Sequence, residues 1–396
     1  MIDAEAVVAH LRETDARSGG RRQAWTAPWG QERRELDAIA RAGGGERLII
    51  ERDAFANTWY VLPGDSEATV LVGSHSDCVP DGGWLDGILG VHAGLGVLAA
   101  VAPGPRPRRT LAVVDWADEE GTRFGRSLLG SSAATGALTA RELDGLAADD
   151  GRPAREVVAD HGFDASALGT RSARLAQVVA AVELHIEQGP VLEGENRVMS
   201  AVSGCLGVRR SRVTFQGTPG HAGALPMRVR RDPVRSAARF IVELFDHVER
   251  EEGLATVGRI RSEPAIVTAV PVRASLSLDL RHASPSTLRE LEEHAGRLAQ
   301  AGPCPVEIVT TYRQDPVRFD PELVRRATAA AGGGPPLVSG PLHDSAALAQ
   351  AGIPTVMLFV SSTGGISHAR AEDTPERHLT EAVTALHRLV TSMLGD

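Results

Sequence analysis

Residues 69–77, Thr-Val-Leu-Val-Gly-Ser-His-Ser-Asp, set the reading of the whole chain. Thr69–Gly73 is a short apolar run rich in β-branched side chains, bounded by polar residues, and this predicts a buried strand. It ends in His75, two residues before Asp77. Open α/β sheets place ligand sites just beyond the carboxyl ends of their strands. A nearby carboxylate can also hold a metal-binding imidazole through its second ring nitrogen. The arrangement returns along the chain. The run Thr110–Asp115 leads into Trp116-Ala117-Asp118-Glu119-Glu120-Gly121, the run Val178–Ile186 carries Glu183 and His185, and Thr355–Val360 precedes Gly364-Gly365-Ile366-Ser367-His368. Helical stretches at 88–101, 126–136 and 342–351 alternate with these strands, and two further helices are expected at 3–13 and 34–42. Such alternation predicts an α/β fold with a mixed, mainly parallel sheet covered by helices.

The middle third has another rhythm. Gly207–Phe215, Val272–Leu280 and Val306–Thr311 read as antiparallel strands, with amphipathic helices at 232–250 and 286–301. A chain of 396 residues exceeds what one hydrophobic core usually supports. The expected organisation is a catalytic domain in two pieces, 1–206 and 319–396, with an α+β domain inserted at 207–318. Residues 332–336, Gly-Gly-Gly-Pro-Pro, mark a loop.

A formal net charge of −9 argues against nucleic-acid and anionic-membrane partners. The short basic runs at Arg228, Arg230 and Arg231 and at Arg106, Arg108 and Arg109 read as solvated faces. Cys78, Cys205 and Cys304 are odd in number and far apart, so neither a disulfide framework nor a thiolate zinc site is indicated. The first residues are acidic without an apolar signal core, and no apolar run approaches a membrane span. A cytoplasmic location is expected.

Taken singly, each polar motif has an ordinary explanation. Asp86, in Gly82-Gly83-Trp84-Leu85-Asp86-Gly87, could cap the following helix. Asp118, Glu119 and Glu120 could form a solvated acidic turn. Glu183, His185 and Glu187 share one strand face, which suits either one wall of a polar site or an exposed edge. His343 and Asp344, opening a helix, suit capping and support. Jointly, His75, His185 and His368 offer imidazoles, while Asp86 and Glu120 offer oxygens. That donor set, with Asp86 able to bridge, suits two divalent cations about 3.5–4 Å apart.

The segments GSHSDCVPDGGWLDGILGV (73–91), ADEEGTRFG (117–125), ELHIEQGPVLE (183–193), GTPGHAGALPM (217–227) and GGISHA (364–369) resemble the metallopeptidase M20 clan. Within it they resemble the branch of N-carbamoyl-L-amino-acid hydrolases, β-ureidopropionases and allantoate amidohydrolases. The resemblance runs from about residue 50 to 375. It implies a dinuclear centre bridged by Asp86 and completed by His75, Glu120, His185 and His368. Zinc is the first expectation, with manganese, cobalt or nickel also suited. It further implies that Glu119 is the general base to a metal-activated water attacking a carbamoyl or amide carbon, with Asp77 holding His75. His221 would stabilise the oxyanion, in its own or a partner's site, and Arg281 would bind the carboxylate of a small-molecule substrate. Gln188 would contact that substrate, and the inserted domain would serve as lid and homodimer contact. Two departures stand out. The family's asparagine, thirteen residues before the arginine, is replaced by Thr268, whose hydroxyl cannot present an amide's paired donor and acceptor. After His368, Ala369-Arg370 stands where a small residue and then proline are common.

Three other readings compete. An aminopeptidase or dipeptidase could use the same metals. Gly94-Leu95-Gly96-Val97-Leu98-Ala99 matches a dinucleotide-binding fingerprint, but it falls inside a predicted helix instead of opening one. A non-catalytic metal-binding protein would have no use for Glu119.

Overall fold

The computed structural model describes residues 1–148 and 150–395. The chain divides into two compact units, Met1–Gly204 with Arg318–Asp396, and Cys205–Val317.

The larger unit is built on a mixed sheet. Its main strands are β1 (Ile49–Arg52), β2 (Thr58–Leu62), β3 (Ser66–His75), β4 (Arg109–Trp116), β5 (Val178–Ile186), β6 (Met199–Cys205) and β7 (Thr355–Val360). They lie in the order β1-β2-β4-β3-β5-β7-β6. The central strands β4, β3, β5 and β7 are parallel, and β1, β2 and β6 add antiparallel flanks. Strand pleating sends alternate side chains to opposite faces, which divides the apolar residues between two cores. Val70, Val72, Leu111 and Val113 pack with helices Ala4–Ser18, Ile88–Val101 and Glu376–Leu394. Leu71, Ala112 and Val114 pack with Trp25, Trp29, Leu129 and Leu348 on the other side.

Several elements differ from the sequence expectation. The second helix spans Ala27–Gly44, beginning seven residues before 34, because Pro28 opens it and Trp29 is buried beneath the Arg33 guanidinium. The helix expected at 126–136 is confined to Leu129–Thr135, since Leu128 takes a left-handed conformation (φ 59°). Strands β1, β2 and β6 and the long C-terminal helix Glu376–Leu394 were not anticipated; the helix supplies Leu379, Val383, Leu386 and Val390 to the core. The glycine fingerprint at 94–99 lies within helix Ile88–Val101. A Cβ on Gly94 would meet Val113 Cγ1 at 2.8 Å, so that glycine lets the helix sit close on the sheet.

The smaller unit is a four-stranded antiparallel sheet ordered Val306–Gln314, Gly207–Gln216, Arg273–His282, Leu254–Glu263. Helices Pro233–Arg250 and Pro285–Gln300 cover one face. Along Arg273–His282, Ala274, Leu276, Leu278 and Leu280 enter the core beneath those helices. Ser275, Ser277, Asp279 and Arg281 alternate with them and therefore belong to the opposite face. Strand Leu254–Glu263 was missed in the sequence because its residues are largely exposed. Among the described residues no helix is long and apolar enough to cross a membrane.

Candidate metal centre

The parallel strands finish level with one another: His75 pairs with Trp116 and His185 with Phe359. His75 and His185 lie at the ends of their strands, Asp86, Glu120 and His368 lie in the loops that follow, and the five converge. His75, Asp86 and His185 place one ligand atom each within 4.8 Å of the others, and so do Asp86, Glu120 and His368. Asp86 belongs to both groups. It does not cap the following helix, whose N-cap is Gly87. At φ 68° Gly87 adopts the left-handed conformation, and a Cβ there would strike the His75 ring at 2.3 Å, so glycine is required for the imidazole to lie where it does.

The orientation of each ring is set by the backbone. His75 Nδ1 lies 3.1 Å from the carbonyl oxygen of Asp77, and His185 Nδ1 lies 2.8 Å from that of Ile186. A carbonyl only accepts, so Nδ1 carries the hydrogen in both rings and Nε2 presents its lone pair. For His185 that lone pair faces Asp86 Oδ1 at 3.1 Å with no aligned hydrogen bond. Two buried lone pairs in opposition call for a proton or a cation between them. On the other side, His368 Nε2 lies 3.2 Å from Asp86 Oδ2 and 3.5 Å from Glu120 Oε2, while Glu120 Oε1 is buried with no hydrogen-bond partner among the described residues. His368 itself sits at φ 55°, a conformation costing a non-glycine residue about 1–3 kcal/mol. These residues fit a pair of divalent cations.

The electrostatics agree. Burial pushes Asp86 up, but the close imidazoles of His185, His368 and His75 override it and hold the carboxyl well below the usual range. The hydrogen bond to Asp86 raises His368 to about 9. Burial, reinforced by Asp86, pushes Glu120 up to about 7. His75 is raised well above an ordinary imidazole: burial opposes this, and Glu119, Asp77 and Asp86 together outweigh it. Glu119 Oε2 lies 3.7 Å from His75 Nε2, yet Glu119 joins neither ligand group. Burial raises its pKa well above the carboxylate range, His75 partly offsets that, and Asp344 adds to it.

Asp77 works differently from expectation. It holds His75 through its main-chain carbonyl, with its carboxylate farther off at 3.6 Å. That carboxylate accepts the backbone N–H of Glu119 (3.3 Å) and of Glu120 (3.2 Å). The third acid of the triplet, Asp118, is turned away: it accepts the Trp25 indole N–H at 2.6 Å and the Gly121 amide, and burial pushes it up to about 8. The acidic stretch is thus no solvated turn. Of the expected wall, Glu183 and His185 stay together, grouped with His343 with ligand atoms within 4.8 Å of one another, while Glu187 departs. Glu183 is held by the Ser74 and Ser345 hydroxyls, and Glu187 accepts the amides of Val191 and Leu192 at the start of a short helix. Gln188, expected to meet substrate, donates its side-chain amide to Asp86 Oδ2 at 2.9 Å. His343 stacks edge-on against His185, ring centroids 4.4 Å apart, and donates or accepts at Ser339.

In the smaller unit, His221 pairs with Ala269 in a two-residue ladder, and the Thr268 carbonyl accepts the Ala222 amide, so His221 and Thr268 are neighbours. The Gly223 N–H donates to His221 Nδ1, which leaves the ring hydrogen on Nε2. His221 and Thr268 are both exposed. Arg281 turns its guanidinium fork to Asp279 (2.8 and 3.3 Å), and Asp279 also takes Arg210 at 2.7 Å.

Residues 71–392 match the model of peptidase family M20/M25/M40. The chain belongs to this family. Its M20 relatives include an N-carbamoyl-L-amino acid amidohydrolase of Geobacillus stearothermophilus, 35% identical over 86% of this chain and 86% of that protein. Allantoate amidohydrolase of Bacillus subtilis is 33% identical over 82% of this chain and 81% of its own length. Among solved structures, an amidase of the hydantoinase/carbamoylase family from Burkholderia multivorans superposes with a TM-score of 0.85 at 29% identity, covering 100% of this chain and 98% of that one.

One side chain of this M20 site, Glu372, escaped the sequence reading, and another, Arg370, entered it only as a departure without a role. Glu372 is buried beside the Asp86 loop. Arg370, at the position where proline is common in this branch, forks onto Asp15 (2.6 and 3.1 Å) and bonds the Gly82 carbonyl, tying the His368 loop to helix Ala4–Ser18. Nothing in the Ala-Arg-Ala-Glu-Asp string distinguishes these groups from surface charges; only the fold does.

Proposed function

We propose that this protein is a metal-dependent amidohydrolase that cleaves the C–N bond of an N-carbamoyl (ureido) amino acid or a related linear amide such as allantoate. Two divalent cations would be held by His75, Asp86 and His185 and by Asp86, Glu120 and His368. Zinc is the first choice for this nitrogen–oxygen donor set, with manganese, cobalt or nickel also suited. When bound, they supply Lewis-acid polarisation of the scissile carbonyl and acidify water at the site. Glu119 takes the proton of the attacking water and hands it to the leaving nitrogen. Asp77 fixes the backbone on which Glu119 and Glu120 sit, and Gln188 orients Asp86. His221, with hydrogen on Nε2, donates to the developing oxyanion. Arg281 receives the substrate carboxylate as a bidentate fork, exchanging Asp279 for it. Thr268 supplies a hydroxyl beside His221.

One observation carries the reading: Asp86 is common to a buried ligand group and to a second that opens to solvent at His368, while Glu119 stands beside them and in neither. The two amidohydrolase relatives, of near-equal identity, support both carbamoyl and allantoate substrates. A homodimer through the smaller unit is supported by its exposed apolar side chains, among them Ile260, Ile308 and Val309 on the two edge strands. A cytoplasmic setting is supported by three buried free cysteines. The test is ammonia release from N-carbamoyl amino acids, 3-ureidopropionate and allantoate, and formate release from N-formyl amino acids, with dipeptides alongside, in the presence of Zn²⁺, Mn²⁺ or Co²⁺. Carbamoyl or ureido compounds should be turned over. Dipeptide cleavage without ammonia release would overturn the reading in favour of a peptidase.

A further inference from the structure

We infer that Glu372 is a positioning residue that locks the Asp86 loop and the His368 loop together and so presets the pocket of Asp86, Glu120 and His368 for its cation. The inference rests on the ligand assignment proposed above and extends it to a side chain that touches neither substrate nor cation.

Glu372 is 2% exposed and lies four residues beyond His368. One of its oxygens, Oε1, accepts the backbone N–H groups of Leu85 and Asp86, both at 3.0 Å. The other, Oε2, accepts the Ser367 hydroxyl at 3.1 Å. Ser367 Oγ lies 3.4 Å from Asp86 Oδ2 and accepts the Gln188 amide at 3.1 Å, while Gln188 also donates to Asp86 Oδ2. A closed circuit results, running Asp86 backbone, Glu372, Ser367, Gln188, Asp86 side chain, because the one hydroxyl hydrogen of Ser367 goes to Glu372 and the Gln188 amide supplies the last link. Asp86 is therefore gripped at both its amide and its carboxylate, and the residue next to His368 is gripped by the same acid. Close approach makes this possible: a Cβ on Gly83 would fall 2.1 Å from Glu372 Oε1, so the loop must be glycine there for the carboxylate to reach the two amides. A single carboxylate accepting two backbone amides and a hydroxyl commits about three of its four acceptor sites to these loops. Outer residues of this kind tune metal affinity by about 10–100-fold.

The prediction is site-selective. Zn²⁺ binding, measured on the full-length protein by competition with a chromophoric chelator, should show two ions per chain in the wild type. Glu372→Ala should keep one at wild-type affinity and hold the other about 10–100-fold more weakly. Ser367→Ala, which removes the arm towards His368 and the Gln188 contact but leaves the grip on the Leu85 and Asp86 amides, should weaken the same ion by less. Hydrogen exchange in the peptide containing Leu85 and Asp86, followed before zinc is added, should accelerate in Glu372→Ala and not in Ser367→Ala. If Glu372→Ala does not fold, Ser367→Ala decides by the same zinc titration. Two wild-type affinities in the variant that is read, or equal weakening of both ions, would overturn the inference. A wild type that binds fewer than two ions would instead overturn the ligand assignment beneath it.

Discussion

His185 and His221 contrast the two units. Both are histidines at the end of strand-like sequence, yet the backbone prepares them for opposite tasks. Nδ1 of His185 donates to a carbonyl, so Nε2 offers an electron pair; Nδ1 of His221 accepts an amide hydrogen, so Nε2 offers a proton. The first is buried to 1% exposure among carboxylates, and the second is exposed on a short ladder. Ligand chemistry is thus concentrated in the larger unit, where low dielectric magnifies every charge. The smaller unit contributes donors that gain strength only when something covers them.

The sharpest challenge to this contrast is Glu119→Gln. Turnover should fall about 10²–10⁴-fold, the range of a general acid–base group, with both ions still bound; steady-state kinetics beside metal analysis will check it, and retained turnover would mean the base lies elsewhere. His221→Ala should cost about 10²–10³-fold in kcat, as for the loss of one oxyanion donor. Its metal content and melting temperature should not move, because the side chain is exposed. A change in bound metal would erase the division between the units. Arg281→Ala should raise KM for carboxylate substrates about 10–100-fold, since a charge-assisted hydrogen bond contributes about 1.5–3 kcal/mol, while leaving kcat within a small factor. Arg281→Lys should recover only part, lysine having no planar fork. An unaltered KM would assign the guanidinium to its Asp279 pair alone. The smallest effect belongs to Thr268→Asn, which restores the amide usual in the branch. It should alter kcat/KM ratios across the substrate panel by less than about tenfold, near 1 kcal/mol for one neutral hydrogen bond. No change at all would remove Thr268 from recognition.

How much could be read in advance follows the same line. The convergence of the five candidate ligands was legible because strand-end placement is a sequence property: a buried run stops, and polar side chains at its end and in the loop beyond gather at the carboxyl edge of the sheet. Direction was not legible. Asp118, Glu119 and Glu120 are chemically alike in the string, and only the left-handed turn at Asp118 (φ 58°) sends the first to Trp25 and leaves the others on the site side. Glu187 sat at a spacing shared with His185, but the strand ends at Ile186 and the acid goes to cap a helix. Gln188 and Glu372 make contacts across more than a hundred residues of sequence, which no local pattern encodes. In the smaller unit the helices and inner strands were plain from their periodicity, whereas the exposed strand Leu254–Glu263 lacks the buried alternation that would announce it.

The Asp77 carboxylate, bridging the amides of Glu119 and Glu120, has a consequence for how such an enzyme can change over time. The proposed base and the proposed ligand ride on one clasped piece of main chain, so neither can be moved without dragging the other. Drift in this neighbourhood is punished twice by one substitution. Innovation is therefore channelled to exposed positions such as Thr268, where a new side chain can court a new substrate while the bond-breaking apparatus stays as it was.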